Sequence, residues 1–339
     1  MKQNFKQVWS IAQCLGLTVL LIAGCSKNKS EIKPDETTQI NNGTSNLVFY
    51  ADTFKVYSTD LKGGNRKELI NEDLKSENNY ISSLSIAPGT SKIVYEYLTG
   101  YLDPVSIKVT NPDGSGKKTL KIFPAGINVN FVKAIAGDRI YFGTSVTTGG
   151  AQVRKFYVMN IDGTNEKELK SLSPFANINS GQVSSEGKGL VTGDGYFVKI
   201  NNDDFAEIDS YNVLSNENKA NIQSNLMMSA DAKKIAFISR TSSPDKYEIM
   251  VKDISTRNTA SIVALNYTLP TTGPGAIQFP SFGLCWVDGN QKLLLSYGKM
   301  TFPKGSPNDY VFCQLLDVAK ADISSWSFTG DGSLTIQAN

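Results

Sequence analysis

The chain has 339 residues, with 34 Lys and Arg against 32 Asp and Glu and a formal net charge of +2. This near-balance argues against nucleic acid as a partner, because nucleic-acid-binding domains present a strongly basic surface. The chain contains no histidine, which excludes Ser-His-Asp triads, His-ligated metals and imidazole acid–base catalysis. We therefore predict neither a metal nor a cofactor.

The N-terminus has the pattern of a bacterial lipoprotein signal. Lys2 and Lys6 precede an apolar run that ends in IAGC (22–25), and small residues before a cysteine are typical of a lipobox. The run is shorter than the ~20 residues that a membrane-spanning helix needs. We predict a signal peptide over 1–24 and lipidation of Cys25, with a transmembrane anchor and a plain secretory signal as the alternatives.

Processing at Cys25 sets the expected location and charge of the mature protein. Removing Lys2 and Lys6 leaves 32 basic against 32 acidic residues, so the lipid would be its only attachment to a membrane. Residues 25–46 are polar, with almost no bulky apolar side chain, and predict a flexible tether. The expected location is the bacterial cell envelope, on the outer membrane.

From residue 47 onward two short phrases alternate. The first is an apolar strand, a turn and a charged strand, as in IKVTNPDGSGKKTL (107–120) and FYVMNIDGTNEKEL (156–169). The second is a serine-containing strand, a turn and an apolar strand, as in ISSLSIAPGTSKIVYEY (81–97) and IQSNLMMSADAKKIAFIS (222–239). Alternating apolar residues around Gly- and Asn/Asp-rich turns predict β-hairpins.

Six copies of each phrase predict an all-β fold of roughly 24 strands, because each pair of phrases supplies four. Four-stranded units repeated in this way are typical of a six-bladed β-propeller with antiparallel blades, here over 47–339. We expect strands from both chain ends to share one blade, with LVFY (47–50) beside SSWSFT (324–329) as the inner strand. SLTIQ (333–337) competes with LVFY for one position.

Two of these phrases carry a family resemblance. YVMNIDGTNEKEL (157–169) and WSFTGDGSLTI (326–336) resemble the repeats of TolB-like β-propellers over nearly all of 47–337. The α/β domain that precedes the propeller in TolB has no counterpart in the tether, and there is no Gly-x-Ser-x-Gly of the related peptidases. The resemblance implies a stand-alone propeller lipoprotein.

Strand direction predicts where a site would lie. With strands a to d alternating, the a–b and c–d turns share one face of the disc, and the longer b–c and d–a loops share the other. Such variable loops on a rigid scaffold are where binding concentrates. We name this second side the loop-rich face. Its candidate ligand-binding residues are Tyr80, Tyr101, Asp103, Phe123, Phe175, Tyr211, Tyr267, Phe279 and Phe302.

Aromatic rings with Asn and Ser suit a sugar or a peptide, although the same rings could simply pack the loops onto the disc. We expect a non-catalytic binding or scaffolding propeller for a protein or glycan partner. The alternative is a carbohydrate-active lyase or hydrolase that uses carboxylates on the loop-rich face. Those carboxylates are Glu72, Asp73, Asp103, Asp245 and Asp309.

Two cysteines remain in the propeller. Cys285 falls in strand a and Cys313 in strand c of one blade, roughly two strand spacings of ~4.8 Å apart. That separation exceeds the reach of a disulfide, so we predict two buried thiols.

Overall fold

The computed structural model describes residues 47–52, 54–60, 64–72, 79–99, 104–169, 182–192, 195–201, 207–214, 221–222, 224, 226–241, 246–266, 281–287, 290–299, 310–318, 322–329 and 335–338. They belong to one compact unit, Asn42–Asn339. The predicted signal peptide and tether, with Cys25, lie outside these residues. No helix in the described ranges is long and apolar enough to cross a membrane.

The described residues form six antiparallel sheets of four strands each, and these are the blades of a propeller. Blade 1 contains, from the inside outwards, β24 (Thr335–Ala338), β1 (Leu47–Asp52), β2 (Lys55–Asp60) and β3 (Lys67–Asn71). Blade 2 contains β4 (Asn79–Ile86), β5 (Ile93–Thr99), β6 (Val105–Thr110) and β7 (Lys118–Phe123). Blade 3 contains β8 (Ile127–Ile135), β9 (Arg139–Thr148), β10 (Ala151–Asn160) and β11 (Lys167–Glu168).

The other three blades follow the same order. Blade 4 contains β12 (Gln182–Val183), β13 (Gly189–Val191), β14 (Tyr196–Ile200) and β15 (Glu207–Asn212). Blade 5 contains β16 (Met227–Met228), β17 (Lys234–Arg240), β18 (Lys246–Asp253) and β19 (Thr259–Asn266). Blade 6 contains β20 (Ser281–Val287), β21 (Lys292–Lys299), β22 (Tyr310–Asp317) and β23 (Asp322–Thr329). The predicted six-bladed propeller is therefore confirmed.

Both chain ends share blade 1, as predicted, but the predicted inner strand is wrong. SSWSFT belongs to β23, the outermost strand of blade 6, where it pairs with β22. The inner strand of blade 1 is β24, and Tyr50 of β1 pairs with Ile336 there. The C-terminal segment and LVFY therefore do not compete, because they occupy neighbouring positions a and b of one sheet.

The hydrophobic core lies between neighbouring blades. Among the described residues, one apolar cluster joins each of the six neighbouring pairs. The cluster between blades 6 and 1 contains Val48 and Tyr50 of β1 with Cys285 and Leu294 of blade 6. The two sides of a blade are buried against different neighbours, so a middle strand such as β5 is buried on both faces, while the outer strands β3 and β7 are mostly exposed or half-buried. The ring is closed by packing between blades as well as by pairing.

Candidate functional site

The c–d turns of blades 2 and 3 have the same internal hydrogen bonds. Asp113 accepts bonds from the hydroxyl and N–H of Ser115 at 2.7 and 2.9 Å. Asp162 accepts the matching bonds from Thr164 at 2.6 and 2.9 Å. These side-chain and backbone donors hold the pKa of both aspartates below its usual range. The carboxylates of the repeated Asp-Gly motif thus stabilise turns, and the motif is turn chemistry.

A second set of repeated bonds fixes the two faces of the disc. In blades 3 to 6 the residue that opens the c–d turn donates its N–H to a carbonyl of the a–b turn. The pairs are Ile161 to Asp138 at 2.7 Å, Ile200 to Lys188 at 3.0 Å, Ile254 to Lys233 at 2.8 Å and Val318 to Gln291 at 3.0 Å. In these blades the a–b and c–d turns therefore share one face, which we name the turn face, and the b–c and d–a connections lie opposite.

Most residues of the predicted site lie outside the described ranges. They are Tyr101, Asp103, Phe175, Tyr267, Phe279 and Phe302, with the acids Asp73, Asp245 and Asp309. Tyr80, the second residue of β4, is described and is 45% exposed. Its part in binding stays a prediction.

Two predicted aromatic residues lie elsewhere than expected. Tyr211 belongs to β15, and its hydroxyl donates to the carbonyl of Ile254, beside the c–d turn of blade 5, at 2.9 Å. Phe123 ends β7 and is buried in the cluster between blades 2 and 3. By strand register both lie at the loop-rich end of strand d, with Phe123 opposite Val105 and Tyr211 opposite Phe197, but they are strand residues and not loop residues. A part of Tyr211 in ligand binding stays a prediction. Both segments continue strand d further than the sequence indicated, and strand d residues pack against the next blade.

A cavity of about 300 Å³ opens between blades 1 and 2. We name it the wedge cavity. Its buried base is formed by Glu72, Tyr97, Ser106 and Lys108. Thr99, Pro104, Thr119 and Ile122 form its outer rim. Since Glu72 follows β3 and Thr99 ends β5, the cavity lies at the loop-rich end of the two blades.

Glu72 is the one predicted carboxylate that the described residues include, and it is fully engaged by donors. Tyr95 donates its hydroxyl to Glu72 Oε1 at 2.6 Å. Lys108 Nζ donates to Oε2 at 2.8 Å, and Lys117 Nζ lies 3.4 Å from Oε1. Burial acts to raise the pKa of Glu72, but these hydrogen bonds and charges outweigh it and hold the pKa below its usual value.

Lys108 is held on its other side by an aromatic ring. Its Nζ lies 4.3 Å from the centroid of the Tyr97 ring, a cation–π distance. Asn79 in turn donates from Nδ2 to the Tyr97 hydroxyl at 3.1 Å. These contacts fix Lys108 in the base of the wedge cavity, and Lys117 beside the cavity is a second ammonium group that faces the same carboxylate.

The sequence analysis missed Tyr95, Tyr97 and Lys108. They fall inside strands β5 and β6, where alternation gives no reason to separate them from ordinary blade residues. The available signal was the repeat itself. Lys108 lies in the same phrase position that Tyr157 has in blade 3 and Met250 has in blade 5, so a charge there departs from its uncharged counterparts.

Blade 2 contains a second buried acid, Glu96 in β5. Burial raises its pKa to about 7, against the lowering effect of a hydrogen bond with Ser82. Strand alternation places Glu96 on the side of Val94 and Leu98, which face blade 3. It is therefore separated from the wedge cavity by the sheet of blade 2.

No group of three or more Cys, Asp and Glu residues that could hold a metal occurs within the described ranges. Cys285 is a buried thiol on β20. Cys313 lies on β22, with β21 between the two strands, as the sequence predicted; its side chain is outside what the structure describes.

A comparison with protein-family models gives no match, and a comparison with curated proteins gives none either. Solved structures do match. TolB from Acinetobacter baumannii aligns with a TM-score of 0.53 and 15% identity, over 86% of this chain and 65% of that one. The chain thus spans about two thirds of the length of that TolB.

Two further structures align more loosely. A putative 6-phosphogluconolactonase from Bacteroides fragilis has a TM-score of 0.48 and 11% identity, over 87% of this chain and 99% of that one. An acylaminoacyl peptidase from Pyrococcus horikoshii has a TM-score of 0.44 and 13% identity, over 84% and 44%. At these identities the likeness concerns the fold alone. The chain is a six-bladed β-propeller that resembles the propeller of TolB.

Proposed function

We propose that this protein is a non-catalytic binding propeller of the bacterial cell envelope. Lipid on Cys25 holds it on the outer membrane, and the loop-rich face takes a protein or glycan partner. The observation that carries the proposal is the contrast between the two faces. The turn face repeats one set of backbone bonds from blade to blade, while the described part of the opposite side contains a charged cavity and the exposed Tyr80.

The state of Glu72 favours binding over carbohydrate hydrolysis. A glycosidase needs two carboxyl groups about 5–10 Å apart, one of them with a raised pKa. The wedge cavity is lined by one carboxylate, whose pKa is lowered and whose oxygens accept bonds from Tyr95 and Lys108. A group held in this way is a fixed charge and a poor proton donor.

Partner capture tests the binding function. The full-length protein in detergent is immobilised and exposed to envelope extract and to a glycan array. We expect a saturable partner whose binding weakens about fivefold or more in Tyr80→Ala, because exposed aromatic residues dominate interface energies. Lys233→Ala, on the turn face, should bind as the wild type does. Absence of any partner from both sources, with folded protein, would overturn the proposal.

Anchoring is tested separately. Cells that express the wild type or Cys25→Ser are labelled with a clickable fatty acid and fractionated. The wild type should incorporate the label and sediment with membranes, and the variant should do neither. Label in the variant would refute lipidation at this residue. Turnover of any member of a polysaccharide panel by the wild type would refute the non-catalytic assignment.

A further inference from the structure

We propose that the wedge cavity, together with the outer edge of β7, binds an extended peptide segment that bears a carboxylate. The inference rests on the proposed binding function and narrows it to one site and one class of ligand. The wedge cavity would select the negative charge of the ligand, and β7 would select its extended conformation.

The cavity exists because blades 1 and 2 touch closely at one end and separate at the other. At the turn face, an added Cβ on Gly114 of blade 2 would lie only 2.0 Å from the carbonyl oxygen of Leu69 in blade 1. Towards the loop-rich end, Glu72 contacts the side chains of Tyr95 and Lys108 instead of packing backbone against backbone. The opening thus belongs to this interface and depends on the polar side chains that line it.

Charge selects an anionic ligand. Lys108 and Lys117 both lie within 3.4 Å of the Glu72 carboxylate, so one positive charge remains in excess beside the cavity. The Lys117 side chain is 44% exposed, which leaves it able to contact a second carboxylate. A ligand carboxylate beside Lys117 would pair with the positive charge that Glu72 alone does not balance.

The exposed apolar rim favours a peptide over a sugar. The Tyr97 residue is only 5% exposed, and Lys108 covers a face of its ring, so no open ring face remains for a sugar to stack on. Ile122 on the rim is 65% exposed, and a branched apolar side chain is a contact for another apolar side chain. The rim thus suits a peptide residue of the same kind.

The edge of blade 2 supplies the backbone partners. β7 is the outermost strand of its sheet, and an outermost strand presents N–H and C=O groups that an extended peptide can pair with. Lys121 Nζ bonds Glu166 of blade 3, while Thr119 and Ile122 face the cavity. A strand added to β7 would therefore place alternate side chains along the wedge cavity.

The carboxylate has two possible sources, an acidic side chain or the C-terminus of the partner. Three labelled hexapeptide pools, each of mixed Val, Ile, Thr and Ser, separate them. The first carries one Glu and an amidated end, the second carries Gln and a free carboxyl end, and the third carries Gln and an amidated end. Binding to the full-length protein in detergent is measured by fluorescence anisotropy, beside a uronic acid oligosaccharide.

We expect the first or the second pool to bind at least about tenfold more tightly than the third, and to weaken as salt is raised. Ile122→Thr and Lys117→Gln should each weaken the preferred pool about fivefold. The matched control is Ile208→Thr, an exposed isoleucine on the outer strand of blade 4, which should change binding less than twofold. Because both positions are exposed, we expect the variants to fold as the wild type does. Thermal unfolding of each variant checks this.

Three outcomes overturn the inference. Equal binding of all three pools would show that the site does not recognise a carboxylate. Tighter binding of the oligosaccharide would show that the ligand is a glycan and not a peptide. Unchanged binding in Ile122→Thr and Lys117→Gln would move the site elsewhere. If no pool binds while envelope extract still yields a saturable partner, the wedge cavity assignment fails and the binding function stands. If neither yields binding, both fail.

Discussion

The interface between blades 1 and 2 and the interface between blades 2 and 3 use the same repeat positions with different side chains. In the first, Tyr95 and Lys108 are cross-strand neighbours on β5 and β6, and both donate to Glu72. In the second, Phe142 and Tyr157 are the matching neighbours on β9 and β10. Glu72 directly follows the last paired residue of strand d in blade 1. The residue at the matching position of blade 2 is Phe123.

The two trios fill space differently. The rings of Phe123 and Phe142 meet edge to face at 5.8 Å, and those of Phe142 and Tyr157 stack at 5.1 Å. Aromatic contacts of this kind pack a site densely. In the matching trio of Glu72, Tyr95 and Lys108, which we name the ionic trio, Tyr95 and Lys108 donate hydrogen bonds to Glu72 at 2.6 and 2.8 Å. The wedge cavity lies beside it. The same pair of positions holds Phe237 and Met250 in blade 5, so apolar side chains fit the fold here, and the ionic trio points to a role besides packing.

Removing the acceptor of the ionic trio should have the largest effect on stability. Glu72→Leu leaves the ammonium of Lys108 buried without its carboxylate, which costs about 3–5 kcal/mol. Phe123→Leu makes the matching change in the aromatic trio, and loss of ring contacts there should cost about 1–2 kcal/mol. Urea unfolding at pH 7 measures both. Equal losses would remove the distinction between the two interfaces.

Acid should expose the same distinction. The pKa of Glu72 lies below its ordinary value of 4.5 in the folded protein, so its contribution is complete above pH 4.5. It is lost as pH falls below that value and Glu72 binds a proton. The wild type and Glu72→Leu should therefore converge in stability at low pH, whereas Phe123→Leu should remain offset from the wild type.

The turn glycines of the two interfaces give the next largest contrast. Gly114 and Gly163 have φ values of 89° and 88°, so alanine is strained at both, at about 1–3 kcal/mol. Only Gly114 also lies against backbone, because its Cβ would meet Leu69 O at 2.0 Å, against 3.5 Å to Leu120 O for Gly163. In urea unfolding, Gly114→Ala should therefore lower the free energy of unfolding by about 1–2 kcal/mol more than Gly163→Ala does. A reversed order would show that the blades tolerate separation at the turn face.

Glu96 tests what an acid without a cation does in the same blade. Its folded pKa of about 7 lies above its ordinary value of 4.5, so the folded state holds the proton more tightly and stability falls as pH rises from 4.5 to 7. Glu96→Gln should abolish this fall and gain about 2–3 kcal/mol over the wild type at pH 8. The variants are compared by urea unfolding at pH 4.5 and pH 8. A gain that is equal at both would assign it to packing and not to the charge.

The fold followed from the sequence because its signals are local. Asp113 and Asp162 form their turns with residues two positions away, so the hairpin period is visible without any long-range information. Closure was harder for the opposite reason. SSWSFT and TIQA both have the composition of a strand. SSWSFT pairs with β22 in a local hairpin of blade 6, whereas only pairing with Tyr50, near the other end of the chain, assigns TIQA to blade 1.

The site followed only in part. Glu72 was placed on the loop-rich face as a carboxylate, but its donors come from the next blade, and no local pattern links Glu72 to Tyr95 or Lys108. The sequence assigned Phe123 and Tyr211 to d–a loops because aromatic residues near Pro124 and in a polar segment resemble loop residues, although both belong to strand d. Aligning each blade with the next would have marked Glu72 and Lys108 as charges where Phe123 and Tyr157 stand.

Exchanging one trio for the other should have the smallest effect on stability and the clearest effect on binding. Glu72→Phe, Tyr95→Phe and Lys108→Tyr, combined, install the side chains of Phe123, Phe142 and Tyr157 in the first interface. Replacing a satisfied buried ion pair by apolar groups is commonly neutral or stabilising, here by about 0–2 kcal/mol. The triple variant should therefore be at least as stable as the wild type in urea, while its preference for carboxylate-bearing peptides is lost because the rings fill the wedge cavity that seats them.

That outcome would separate stability from function at these positions, because the protein would keep its fold and lose its ligand preference. The single Glu72→Leu variant is the control, since it lacks the charge but cannot fill the space. A triple variant less stable than Glu72→Leu would show that the two interfaces are not equivalent in backbone geometry. The ionic trio would then be required by the shape of blades 1 and 2, and the argument from its polarity to a binding role would fail.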